Sequence, residues 1–144
     1  MSIWKGSRSA TMVKKPWGEV ECHNSPFSMG AKIIRIKADH RTSLKYYKNN
    51  CQMIVLYEGR VMVYAPDEKE FGDKKTSKGN YFELTPGDTL LVQPENPYRI
   101  KALEDSVLFE VLGGSPSSCD ESQVVMLEDD YGRAPSTKNT EIIE

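Results

Sequence analysis

The residues that could do chemistry are polar side chains on otherwise apolar strand faces. Four of them stand out: Lys45, Tyr47, Gln52 and Tyr98. The first two share one strand face because side chains alternate along a strand, and the other two lie on the apolar faces of 51–57 and 98–102. A lysine ammonium can hold an anion, while tyrosine and glutamine exchange hydrogen bonds with hydroxyl groups. A desolvated lysine also has a lowered pKa and can act as a base.

Composition bounds the class of protein. The chain has 144 residues, enough for one domain with a core that needs no disulfide. Its 19 basic and 21 acidic residues give a net charge of -2. Proteins that bind nucleic acid usually carry an excess of positive charge, so this balance does not predict such binding. No apolar run approaches the ~20 residues of a membrane span, and the first residues lack the apolar segment of a secretory signal, so we expect neither a membrane span nor a signal.

Three cysteines, Cys22, Cys51 and Cys119, are present and form no CxxC motif. An odd number argues against a disulfide framework. The absence of a signal and of a framework together predict a cytoplasmic protein of a reducing compartment.

Short strand patterns follow one another along the chain, and no long amphipathic helix precedes residue 112. The predicted strands cover 19–23, 31–38, 42–48, 51–57, 61–65, 81–84, 89–93, 98–102 and 106–112. Turn signals containing Gly59 and Gly87 separate them. Lys32 lies on the apolar face of its strand, near the strand end, and we expect it to reach solvent. About nine short strands predict an antiparallel sandwich or barrel.

Four stretches resemble the cupin family, and more closely the cupin domain of type II mannose-6-phosphate isomerases. They are 15–18, 40–44, 84–100 and 128–133, in the family's order and spacing. The resemblance covers about 13–133 and implies an all-β fold, a single jelly-roll β-barrel of antiparallel strands with a C-terminal arm. Two glycines of the family motifs are replaced, by Asp39 and by Glu95. We expect 1–12 to be a flexible arm and 134–144 a flexible tail.

The family's metal ligands are replaced in this chain. Members hold a divalent ion with a Gln-x-His pair, a Glu and a second His, a donor set that suits zinc and similar ions. The resemblance places Lys45, Tyr47, Gln52 and Tyr98 at those positions. An ammonium repels a cation, so we expect no metal and no other cofactor.

If the barrel closes as in the family, these side chains meet in its interior. The first hypothesis is a diverged, metal-free cupin that binds a sugar or sugar phosphate, with Lys45 replacing the charge of the metal. The second is an active sugar-phosphate isomerase or epimerase that uses Lys45, Tyr47 and Tyr98. The third is a structural or interaction domain whose barrel is filled, with Lys45 satisfied by neighbours such as Glu110. A homodimer through sheet edges fits all three hypotheses.

Overall fold

The strands are the only regular elements in the part of the chain that the computed structural model describes, which is residues 3–6, 11–66, 80–114, 123–128 and 141–143. In chain order the strands are β1 (Met12–Lys15), β2 (Gly18–His23), β3 (Met29–Ile36), β4 (Leu44–Tyr47), β5 (Cys51–Glu58), β6 (Val61–Ala65), β7 (Asn80–Leu84), β8 (Thr89–Val92), β9 (Arg99–Ala102), β10 (Ser106–Gly113), β11 (Val124–Glu128) and β12 (Glu141–Ile143).

The strands form two layers. The large sheet has seven antiparallel strands in the order β12-β1-β2-β3-β10-β5-β8. The second layer contains the three strands β7-β6-β9 and the pair β11-β4. Backbone hydrogen bonds of 3.0 and 3.3 Å between Lys45 and Tyr98 hold the start of β9 beside β4, so these two groups are continuous. The predicted all-β, antiparallel jelly-roll fold is confirmed.

Alternation along the strands builds the core between the layers. Ile54, Leu56 and Leu108 of the large sheet are fully buried, and they face Val61 and Val63 of the second layer, which are also fully buried. Removing a side chain of this size from water contributes about 1.5–3 kcal/mol. The core therefore fixes which face of each strand points inward, and every polar residue on such a face is held inside.

One strand lies within the C-terminal residues that we predict to be a tail. Residues 141–143 of the predicted flexible tail form β12, which pairs with β1 through the register Met12↔Ile143. The rest of the predicted tail, the C-terminal arm after residue 128 and the residues 67–79 lie outside the described residues.

Two turns contain residues other than glycine in the left-handed region of the backbone. Asp39 and Glu95 have φ angles of 63° and 68°, in the left-handed region. That region costs an L-residue about 1–2 kcal/mol, with Asp among the more tolerant types. Position 59 requires a glycine, because the φ of Gly59 is 92° and a Cβ there would lie 2.5 Å from the carbonyl oxygen of Asp105.

Candidate functional site

Five polar side chains meet between the two layers, and we call them the polar cluster. They are Lys32 of β3, Tyr47 of β4, Gln52 of β5, Tyr98 at the start of β9, and Glu110 of β10. Their exposed fractions run from 1% for Glu110 to 8% for Lys32. Lys32, Gln52 and Glu110 come from neighbouring strands of the large sheet, while the tyrosines reach them from the second layer.

A chain of short contacts connects the polar cluster. Lys32 Nζ lies 3.1 Å from Glu110 Oε2 and donates a hydrogen bond of 3.1 Å to the hydroxyl of Tyr47. Gln52 Nε2 donates to the hydroxyl of Tyr98 and to Glu110 Oε1, each at 2.6 Å. Glu110 is therefore the centre of the cluster, with the ammonium on one carboxylate oxygen and the amide on the other.

Two buried oxygens of the cluster have no hydrogen-bond donor. They are Gln52 Oε1 and Glu110 Oε2. The contact of Glu110 Oε2 with Lys32 is an ion pair by distance, and its angles are not those of a directed hydrogen bond. Buried acceptors are nearly always paired, so two such oxygens in one cluster are unusual for a folded interior.

The electrostatics keep the cluster in one protonation state. Burial on its own lowers the pKa of Lys32, but the Glu110 carboxylate and then Tyr47 outweigh it and hold that pKa above its ordinary value. Burial, and next the Glu110 carboxylate, raises the pKa of Tyr98 well above its ordinary value. Lys32 is therefore an ammonium and Tyr98 a neutral phenol at any physiological pH.

Lys45 lies beside the cluster rather than at its centre. Its side chain is half-buried, and its Nζ lies 5.8 Å from the ring centre of Tyr47. Lys32 Nζ lies 5.7 Å from the same ring, so Tyr47 has an ammonium near it from each of two strands. Distances of this size are within the range of cation–π attraction.

The structure brings together three of the four residues singled out from sequence, namely Tyr47, Gln52 and Tyr98. The central cation, however, is Lys32, and the expectation that Lys32 reaches solvent is wrong. Its strand position between buried neighbours, in register with Cys22 and Glu110, directs it inward. The sequence does contain a signal for this, because Lys32 shares a strand face with apolar residues and Glu110 lies on the same face of β10 as the buried leucines.

Neither histidine belongs to the polar cluster, and each contacts a residue close to it in the chain. Nε2 of His23 is 2.7 Å from Glu21, and Nδ1 of His40 is 2.9 Å from the carbonyl of Ala38. Among the described residues, no three His, Cys, Asp or Glu side chains are grouped so that they could hold a metal ion. The described residues also contain no helix with the length and hydrophobicity that a membrane span requires.

One cysteine departs from the sequence-based expectation. Cys22 is disulfide-bonded, Cys51 is an exposed free thiol, and Cys119 lies outside the described residues.

Comparison with known proteins identifies the fold alone. No protein-family model and no curated protein sequence matches the chain. A variant of oxalate decarboxylase from Bacillus subtilis has a TM-score of 0.72 at 18% identity, over 88% of this chain and 33% of that one. KdgF from Halomonas sp. has a TM-score of 0.55 at 15% identity, over 69% and 82% of the two chains. A protein from Planctomyces limnophilus has a TM-score of 0.61 at 12% identity, over 85% and 95%.

Identities this low do not transfer a reaction from one protein to another, because one fold supports many functions. The chain also spans only about a third of the oxalate decarboxylase chain. What the neighbours share with this protein is the two-layer antiparallel architecture described above. The likeness supports the predicted all-β, antiparallel jelly-roll fold.

Proposed function

We propose that this protein is a metal-free, non-catalytic cupin that binds a small hydroxyl-bearing ligand, such as a sugar or sugar phosphate, at the polar cluster. The observation that carries the proposal is the pair of buried acceptors without donors, Gln52 Oε1 and Glu110 Oε2. An unpaired buried acceptor costs about 1–3 kcal/mol, and a ligand hydroxyl would supply the donor. Tyr47 and Tyr98 add hydroxyl groups that both donate and accept.

The charges of the cluster favour the neutral part of such a ligand. Lys32 and Glu110 neutralise each other at 3.1 Å, so the cluster offers no net charge to an anion. Lys45, half-buried beside Tyr47, is the cation placed to meet a phosphate group. The ligand would therefore lie with its hydroxyl groups on the cluster and any phosphate towards Lys45.

The donor set does not fit the divalent metal that the family resemblance implies. The single carboxylate, Glu110, already has an ammonium 3.1 Å away, and a cation placed there would be repelled by it. The phenol of Tyr98 stays neutral because its pKa is raised, and a neutral phenol is a poor ligand for such ions. The proposed function therefore needs no divalent metal.

The same protonation states weaken the isomerase hypothesis. A base that moves a proton between two sugar carbons must be unprotonated near neutral pH. Lys32 stays protonated and Tyr98 stays neutral, so neither can accept that proton. Catalysis by Lys45 with Tyr47 remains the alternative prediction, and a sugar-phosphate isomerase assay of the Lys45→Met variant tests it.

A structural domain with a filled interior is the second candidate. It is favoured by the burial of all members of the polar cluster, of which Lys32 is the most exposed at 8%. In this case a water satisfies the two acceptors and the cluster only joins the two layers.

Thermal unfolding with added ligands tests the proposal. A ligand that binds only the folded state raises Tm by an amount set by its concentration relative to its Kd. The panel contains mannose, mannose 6-phosphate, inorganic phosphate and zinc or manganese chloride. We expect a rise with mannose 6-phosphate and none with the metals. A rise with a metal alone would overturn the metal-free proposal, and no rise with any compound would favour the filled interior.

Two tyrosine variants locate the binding site. Tyr98→Phe removes a hydroxyl that accepts from Gln52, and we expect it to abolish the ligand-induced rise in Tm. Tyr64→Phe is the matched control, because Tyr64 belongs to β6 and its ring contacts Tyr81 at 5.0 Å outside the cluster. Equal loss in both variants, or in neither, would place the ligand elsewhere.

A further inference from the structure

The buried side-chain atoms that lack a hydrogen-bond partner belong to neighbouring strands of the large sheet. Within the described part of the chain they are Asn50 Oδ1, Gln52 Oε1 and Glu110 Oε2. Their residues are 2%, 3% and 1% exposed, so bulk solvent does not reach them. We call these three oxygens the acceptor row. Two of them belong to the polar cluster, and Asn50 extends the row beyond it.

Asn50 lies at the turn between β4 and β5. It is buried and directly precedes the exposed Cys51, so alternation puts it on the same inner side of the chain as Gln52. Its Nδ2 donates a hydrogen bond of 2.9 Å to the carbonyl oxygen of Gly113, which follows the register partner of Gln52 on β10. The acceptor row therefore runs along β5, where residues two apart are separated by about 6.6 Å.

The neighbours of the two amides determine which of their atoms is left without a partner. A backbone carbonyl only accepts hydrogen bonds, so Asn50 must direct its nitrogen to Gly113 and its oxygen away from it. A carboxylate also only accepts, so Gln52 directs its nitrogen to Glu110. The acceptor row thus offers lone pairs and no hydrogen. A ligand bound by the row must supply the hydrogens, as a hydroxyl group does and a carboxylate does not.

We infer that Asn50 is a specificity-determining residue of the ligand site, and that the site takes the uncharged end of a polyhydroxyl compound and rejects the corresponding sugar acid. This inference rests on the proposed function, which puts the hydroxyl groups of the ligand on the polar cluster. Lys45 precedes Tyr47 on β4 and Asn50 follows it, so a phosphate near Lys45 directs the other end of the ligand to Asn50. A carboxylate at that end would lose its hydration and meet only lone pairs.

Calorimetric titration of the unaltered protein with two matched compounds tests the inference. Sorbitol 6-phosphate and 6-phosphogluconate share their carbon chain and phosphate, and they differ only at the first carbon, which is a hydroxymethyl group in one and a carboxylate in the other. We expect the Kd of the acid to be at least about 100-fold higher than the Kd of the polyol, because a buried charge without a partner is costly. An equal or lower Kd for the acid would overturn the inference and leave the proposed function in place. If neither compound binds, the proposed function fails and this inference fails with it.

Substitution of Asn50 shows whether this residue is the source of the discrimination. Asn50→Ala removes the acceptor, and we expect it to raise the Kd of sorbitol 6-phosphate by roughly 10-fold and to narrow the ratio of the two Kd values. Asn96→Ala is the matched control, because Asn96 Nδ2 also donates to a backbone carbonyl, that of Pro94 at 3.0 Å, but the residue is exposed. Urea unfolding of both variants establishes that they are folded. An unchanged ratio in folded Asn50→Ala, or an equal change in Asn96→Ala, would overturn the role of Asn50.

Discussion

Lys32 of β3 and Glu110 of β10 are direct partners in the register of the large sheet, and their charges lie 3.1 Å apart inside the protein. Few such pairs are buried, because two ions must be removed from water at a cost of several kcal/mol each. Here the cost is offset by the further bonds from Gln52 to Glu110 and from Lys32 to Tyr47. The pair thereby joins the two layers through the cluster.

Breaking this pair should be strongly destabilising. Lys32→Met leaves the Glu110 carboxylate buried without its cation, and Glu110→Gln leaves the ammonium without its anion. We expect each variant to lower the free energy of unfolding by about 3–5 kcal/mol. The double variant removes both charges while the new amide still accepts from Gln52, so its loss should be smaller than the sum of the single losses by more than about 1 kcal/mol. Urea unfolding measures all four proteins.

The matched control is the ion pair of Arg60 with Glu83, which has a shorter distance of 2.7 Å but side chains that are 50% and 45% exposed. Solvent screens this pair, and Arg60→Met should cost about 1 kcal/mol or less. If the losses at Lys32 and at Arg60 were equal, burial would not be the source of the effect at Lys32.

The alkaline pH dependence of stability follows from the same cluster. The pKa values of Lys32 and Tyr98 are both raised in the folded protein. Above about pH 10 the unfolded chain releases these protons while the folded protein keeps them. Their contribution to stability is thus complete below about pH 10 and is lost as the pH rises above it. Urea unfolding between about pH 8 and pH 11 should show this decline.

Other lysines and tyrosines can also change the stability at alkaline pH. The double variant with Lys32→Met and Glu110→Gln distinguishes their effect from the effect of the polar cluster. It lacks one of the two groups and the carboxylate that helps to raise the pKa of Tyr98. Its stability should fall less steeply above pH 10 than that of the unaltered protein. Parallel curves for the two proteins would show that the cluster does not control the alkaline limit.

Strand periodicity predicts this fold well, because apolar side chains alternate with polar ones along nearly every strand. The same rule places Tyr47, Gln52 and Tyr98 inside, and the structure brings these three together. The rule fails for Lys32 because solvent access depends on where a strand lies in the sheet. β3 lies between β2 and β10, and periodicity along one strand cannot indicate its neighbours.

Cross-strand register was the missing information for the rest of the site. The sequence predicts Glu110 as a possible partner for a buried lysine, but only the pairing of β3 with β10 shows that this lysine is Lys32. An odd number of cysteines argues against a complete set of pairs, but it does not exclude the single bond of Cys22.

Removal of the Tyr98 hydroxyl should affect stability as well as binding. In Tyr98→Phe one hydrogen of the Gln52 amide loses its acceptor inside the protein. A buried donor without a partner costs about 1–3 kcal/mol, so we expect a loss in this range. Tyr64→Phe, at a half-buried position outside the cluster, should change the free energy of unfolding by less than about 0.5 kcal/mol. A loss at Tyr98 no larger than at Tyr64 would mean that the amide finds another acceptor.

The left-handed backbone at Glu95 offers a way to stabilise the protein. A glycine adopts a φ of 68° without the steric cost that a Cβ brings, although its unfolded state has more freedom. The two effects leave a net gain of about 0.5–1 kcal/mol for Glu95→Gly, and a smaller gain for Asp39→Gly because aspartate tolerates this conformation. Glu95→Ala is the control, since it shortens the side chain but keeps the Cβ. Thermal and urea unfolding should rank the glycine variant above the unaltered protein and the alanine variant; a gain of equal size with alanine would assign the effect to the glutamate side chain rather than to the backbone.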